Sequence, residues 1–176
     1  MRSISVFCGS RSGEHPHFEE LAKSTGQFLA QSGIRLVYGG ARNGLMGLMA
    51  RSALEAGGEV LGVIPEYLIP SEGAQTGIEL RITATLAARK AMMVNEADGF
   101  LVLPGGAGTL EEVFDMVMLG QLGQHEKRAA FVDHSYWAEL ERLFEKIVEN
   151  GFADSSILSA LSFHETPEAA ITSLMS

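Results

Sequence analysis

Cysteine is nearly absent: Cys8 is the single one in 176 residues, so no internal disulfide can form and a cytoplasmic setting is expected. No apolar run approaches the ~20 residues that cross a bilayer. The N-terminus enters an apolar run without a charged leader or cleavage site, so neither a membrane span nor a secretory signal is expected. Concentrated basic charge is missing as well. Lys and Arg total 13 against 22 Asp and Glu, a net charge of −9, and no basic stripe stands out, which argues against nucleic acid as a partner. The five histidines, His15, His17, His125, His134 and His164, show no H-x-x-x-H spacing and none pairs with a cysteine in a ligand pattern, so no metal site is expected. Linkers, internal repeats and low-complexity tracts are lacking too. Residues 1–176, 46% of them apolar, read as one domain with a substantial core.

What is present centres on Leu103-Pro104-Gly105-Gly106-Ala107-Gly108-Thr109-Leu110-Glu111-Glu112. The apolar run Gly99 to Leu103 enters it and the amphipathic run Val113 to Leu122 leaves it, which predicts a strand, a tight turn and a helix. Glycine at three of four successive positions lets a ligand approach the backbone, and the peptide N–H groups ahead of a helix N-terminus favour an anion such as phosphate. Neither familiar phosphate loop fits. Gly108 is followed by Thr109 and Leu110, not by the Lys-Ser/Thr of a P-loop, and the dinucleotide pattern G-x-G-x-x-G lacks its last Gly. The missing fingerprint argues against a nicotinamide-dependent oxidoreductase, a third reading.

Along the chain, strands are predicted at Ser3 to Cys8, Ile34 to Tyr38, Val60 to Ile64, Glu79 to Thr83, Gly99 to Leu103, Ala129 to Val132 and around Leu161 to Phe163. Helical spacing of apolar residues separates them: Phe18 to Leu29, Leu45 to Leu54, about Leu86 to Ala97, from about Thr109, Trp137 to Val148, and from Pro167. The alternation implies an α/β fold, a Rossmann-like doubly wound parallel sheet with helices on both faces. Ligands of such sheets lie beyond the carboxyl ends of the strands, where the turns at Gly9-Ser10, Gly39-Gly40 and Gly105 would all fall. Residues 67–77, broken by Pro70 and Gly73, read as an irregular segment, either a flap over the site or a surface loop. Val113, Met116, Val117, Met118 and Leu119 make the helix after the glycine turn apolar on two sides, which favours a homodimer through 109–122 over burial in a single core.

Two residues stand out for chemistry. Thr109 and Glu112 match a capping box, with Thr109 as N-cap and Glu112 reaching back. Alternatively Glu112, beside an anion site yet repelled by the anion itself, suits the cationic centre of a ribosyl ring losing its base, and can activate the attacking water. Glu111 is a second candidate. Arg89 shares a helical stripe with Met93 and is either an ion-pair residue or a clamp on phosphate or leaving base. Asp98 reads as a turn residue.

Tyr38-Gly39-Gly40, Gly44-Leu45-Met46-Gly47, Arg89-Lys90 and Pro104-Gly105-Gly106-x-Gly108-Thr109-x-x-Glu112 together resemble the LOG ("Lonely guy") family of cytokinin riboside 5′-monophosphate phosphoribohydrolases, once widely mislabelled lysine decarboxylases. The likeness runs over nearly the whole chain. It implies a Rossmann-like homodimer without cofactor that hydrolyses the N-glycosidic bond of AMP or an N6-substituted AMP to free base and ribose 5-phosphate. It also implies Arg89 and Glu112 as the catalytic pair, with Ser10, Gly39, Gly40, Arg89, Lys90, Gly105, Gly106, Ala107, Gly108 and Thr109 contributing to substrate or phosphate binding. Ala41 stands where the family often has a third Gly, and Leu86-Ala87 where it often has Met-His, which bears on base recognition. A non-catalytic nucleotide or molybdenum-cofactor carrier of the same fold is the competing reading.

Overall fold

Short apolar runs become the strands of one parallel sheet, and the amphipathic stretches between them become its covering helices. The computed structural model describes residues 1–176. In order the elements are β1 (Ser3–Phe7), α1 (Pro16–Gln31), β2 (Arg35–Tyr38), α2 (Gly44–Glu55), β3 (Val60–Pro65), a 3-10 turn (Glu66–Leu68), α3 (Ile69–Glu72), β4 (Glu79–Thr83) and α4 (Leu86–Glu96). They continue with β5 (Gly99–Val102), α5 (Ala107–Gln121), β6 (Ala129–Val132), α6 (His134–Glu149), α7 (Ser156–Ala160), β7 (Leu161–His164) and α8 (Pro167–Met175).

The seven strands lie in the order β4-β3-β2-β1-β5-β6-β7, every pair parallel. From β1 the chain winds outward to β4, then returns to β5 on the other side of β1, so the winding reverses between β1 and β5. Phe7 is in register with Val102 there, and Leu103 N–H donates to Phe7 O at 2.9 Å, so the loops after both strands leave the sheet side by side. A crevice opens at such a reversal because the two crossovers cover opposite faces.

Alternate strand residues feed two cores. Ile4, Val6, Leu36, Tyr38 and Leu101 pack with α1, α2 and α8; Phe7, Val37, Leu61, Phe100 and Val102 pack with α4, α5 and α6. The doubly wound α/β fold expected from the sequence is therefore the one observed.

Two local expectations are corrected, and one short helix is added. The segment 67–77 is not irregular throughout: it opens with the 3-10 turn and α3, and Ala74 pairs with Ala41 in an antiparallel bridge. Pro70 sits in the first turn of α3, where a missing N–H costs nothing, and Gly73, at φ 68°, ends it. Helix α5 starts at Ala107 with Gly106 as N-cap, so Thr109 lies inside the first turn and caps nothing. The capping box fails because the helix begins three residues earlier than the Thr-x-x-Glu pattern requires, at Gly106 instead of Thr109. Helix α7 has no counterpart in the sequence reading, being five residues with one buried position, Ile157.

Candidate active site

A cleft of about 630 Å³ lies beyond the carboxyl ends of β1 and β5. Its walls come from 8–13 after β1, from 104–109 after β5, from α3 and the starts of α2, α4 and α6, and from Glu111 and Glu112 on α5.

The loop after β5 leads straight into α5. Gly106 N-caps the helix and an added Cβ at Gly106 or Gly108 would meet nothing within 4 Å, so the first N–H groups of α5 border open space. Those donors have no partner inside the helix, and the helix dipole favours an anion beside them. Gly105 is constrained differently. A Cβ there would fall 2.1 Å from Thr109 Oγ1 and 2.9 Å from Gly9 N, so glycine is what allows the two loops to close on each other. Gly9 N–H donates to Pro104 O at 3.1 Å, and Tyr136 Oη donates to Gly105 O at 2.6 Å, holding the turn from both sides.

At the floor, Arg89 Nη2 of α4 lies 3.1 Å from Glu112 Oε1 of α5. Thr85 caps α4 by accepting from Ala88 N–H, and Arg89 follows on the face that buries Met93. Both members of the pair are 8% exposed. Burial pushes the Glu112 carboxyl up to about 7 while Arg89 pulls it back, with the negative charges of Glu111 and Glu72 adding to the rise and Lys90 opposing it. Arg89 Nε is buried without a hydrogen-bond partner, leaving a donor unused within the protein. Cys8, at the end of β1, also lines the cleft; burial and the nearby Glu112 raise its thiol, so it is no thiolate nucleophile.

The structure brings Ser10, Arg89, Gly105, Gly106, Ala107, Gly108, Thr109, Glu111 and Glu112 together around the cleft. Gly39, Gly40 and Lys90 are not among its lining residues. Gly39 instead backs the arginine: a Cβ there would fall 2.0 Å from Arg89 Nη2. Gly40, at φ 74°, faces Ile64 and turns the chain after β2. Lys90 points along α5, paired with Glu111 and with Asp115 at 3.3 Å, one residue round the helix from the arginine and therefore on another face. Asp98 accepts from Arg2 N–H and Ser3 N–H, an anchoring role. Sequence reasoning missed Arg11, Phe18, Glu72 and Tyr136, all lining the cleft. Arg11 directly follows the Gly9-Ser10 turn and could have been found there; for the other three the signal was topological, since α1, α3 and α6 meet the cleft only once the strand order is known.

A family model described as "Possible lysine decarboxylase" matches residues 46–174. A cytokinin riboside 5′-monophosphate phosphoribohydrolase of Rhodococcoides fascians is 39% identical, over 99% of this chain and 90% of its own. Another of that name, from Arabidopsis thaliana, is 42% identical over 86% of this chain and 70% of its own. The chain belongs to the LOG family. The LOG fold is shared more widely. The molybdenum cofactor carrier protein of Chlamydomonas reinhardtii superposes with a TM-score of 0.74 over 99% of this chain and 98% of its own, at 22% identity, a likeness of fold alone. The decarboxylase description does not fit the LOG cleft seen here: no lysine lines it, and pyridoxal phosphate is held through a lysine Schiff base.

Proposed function

We propose that this protein hydrolyses the N-glycosidic bond of a cytokinin riboside 5′-monophosphate, an N6-substituted AMP, releasing the free base and ribose 5-phosphate. The observation that carries the reading is the buried Arg89–Glu112 pair on the floor of a cleft whose wall is the N-terminus of α5. The 5′-phosphate lies against the N–H groups of 106–109. The ribose then spans toward Glu112, whose carboxylate stabilises the positive charge developing at C1′ as the bond to the base nitrogen breaks. Glu112 takes a proton from the attacking water as its oxygen bonds to C1′ and the bond to the base nitrogen breaks; that proton then passes through solvent to the departing base, which leaves neutral while Glu112 returns to its ionised form. Arg89 favours the ionised form of Glu112 against the effect of burial and aims it, and its free Nε–H is available to substrate. A carrier would gain nothing from a carboxylate on the floor of an anion site.

Two further readings accompany it. Phe114, Met118 and Leu122 form an exposed stripe at four-residue spacing on the outer side of α5, while Val113, Met116 and Val117 are buried in the protein's own core. We assign the outer stripe to a homodimer contact. We also place the protein in a reducing, cytoplasmic setting on the strength of its one unpaired, buried cysteine, and assign it a small molecule rather than nucleic acid because its net charge is −9.

The test is incubation of the purified protein with AMP and with N6-isopentenyl-AMP, following base and ribose 5-phosphate by chromatography, beside Glu112→Gln. Substitution preserves the shape and removes the charge, so turnover is expected to fall at least ~10²-fold, the loss typical of a preorganised electrostatic group. Tight binding of intact nucleotide with no turnover by the unaltered protein would favour a carrier.

A further inference from the structure

The phosphate-facing wall of the cleft lacks an obvious side-chain counter-ion. Lys90 is paired with Glu111 and Asp115 and does not line the cleft. Arg89 lines it, but its guanidinium is held 3.1 Å from Glu112. The only other cation among the lining residues is Arg11. It is exposed, it forms no ion pair with any carboxylate, and it belongs to the loop after β1. That loop is fastened to the phosphate turn: Gly9 N–H donates to Pro104 O at 3.1 Å, and a Cβ on Gly9 would stand 3.5 Å from Gly105 Cα. Arg11, two residues on, has its backbone against Gly44 at the start of α2 and lines the same cleft as the start of α5, with a guanidinium that makes no ion pair.

Resting on the phosphoribohydrolase reading, we propose that Arg11 is the side-chain cation that grips the substrate's 5′-phosphate, completing from the solvent side the cradle that the N–H groups of 106–109 form from within. A planar guanidinium matches two phosphate oxygens at once. Electrostatic need points the same way. The lining carboxylates Glu72, Glu111 and Glu112 outnumber Arg11 and Arg89, so a phosphate dianion entering without Arg11 would meet net negative charge. Because the phosphate is remote from the bond that breaks, Arg11 contributes equally to ground state and transition state.

The experiment uses the full chain as wild type, Arg11→Ala, Arg11→Lys and, as a control for the same charge change at a distance, Arg142→Ala; Arg142 is an exposed α6 residue near Glu139. Steady-state hydrolysis of AMP and calorimetric binding of ribose 5-phosphate are measured on each, at low and high salt. Arg11→Ala is expected to raise KM about tenfold with a much smaller change in kcat and to weaken ribose 5-phosphate in proportion, the scale of one partly exposed charge-assisted contact. Arg11→Lys recovers part of the loss, Arg142→Ala changes neither quantity, and the salt dependence of KM is shallower in Arg11→Ala than in wild type. Equal KM and equal ribose 5-phosphate affinity in wild type and Arg11→Ala overturn the assignment. A wild type that turns over no nucleotide yet binds ribose 5-phosphate through Arg11 overturns the hydrolase reading and leaves the phosphate contact standing; a wild type that does neither overturns both.

Discussion

Arg89 and Gly39 are in contact across the sheet edge: the guanidinium occupies the space that a side chain at residue 39 would fill, its Nη2 only 2.0 Å from where a Cβ would be. The glycine after β2 thus serves Glu112 at one remove, by letting Arg89 reach it. In Gly39→Ala the yielding group is the far end of a flexible arginine, so the fold is retained while the ion pair is displaced. We expect kcat for AMP hydrolysis to fall about 10²-fold, with a circular dichroism spectrum like that of wild type. Wild-type kcat in a folded Gly39→Ala would show that the Arg89–Glu112 geometry is not needed.

The pH dependence of the rate follows from the same pair. Glu112 must be ionised to stabilise C1′ and accept a proton, and burial pushes its carboxyl up to about 7. Log kcat/KM should therefore rise with pH and level off above neutrality. Arg89 acts to lower the Glu112 value, so removing it as Arg89→Met should move the rise to higher pH as well as reduce the plateau. A profile already flat at pH 5 in wild type would contradict an ionised Glu112 as the rate-determining group.

Stability should respond in the opposite sense. Glu112 goes from an ordinary carboxyl near 4.5 in the unfolded chain to about 7 when folded, so its neutral form is the one the fold prefers. Its favourable contribution is complete below the unfolded value and is lost as pH rises toward the folded value. Gln does not titrate. Between pH 5 and 8 the stability of Glu112→Gln relative to wild type should shift in the variant's favour, by roughly 3 kcal/mol at most. Parallel denaturant midpoints across that range would show that Glu112 is not strained by ionisation. A more stable, inactive variant is the expected signature of a charge kept for function.

A parallel sheet with helices on both faces was readable because short strands alternate with amphipathic helices and parallel strands need crossovers, whereas the strand order was not. Pro104 to Glu112 was readable because glycine spacing and a following apolar period report local geometry. The residues brought in from elsewhere were not. Phe18 and Tyr136 reach the cleft from α1 and α6, and edge-to-face packing at 5.7 Å between their rings depends on the whole sheet being wound. Thr-x-x-Glu misled because the pattern is defined relative to a helix start, and Gly106 rather than Thr109 provides it. Lys90 misled because adjacency in sequence places neighbours about 100° apart on a helix, so a residue next to Arg89 turns away from the cleft.

The outer face of α5 supplies the last expectation. Met118 is 50% exposed and Leu122 65%, one turn apart, with Phe114 a turn before them, whereas the opposite side of the same helix is sunk in the core. Single exposed apolar residues are ordinary; three in line on one helix need a cover. If that cover is a second copy, the stripe meets itself about a twofold axis, and one Met118→Glu substitution introduces a charge on both sides of the contact at once. Desolvating like charges so close costs several kcal/mol, enough to change a dimer at micromolar concentration into monomer. Because residue 118 faces away from the core, each chain should still fold. Sedimentation of wild type as a dimer and of Met118→Glu as a folded monomer is the expected result, and a wild type that is monomeric at every concentration would remove the dimer.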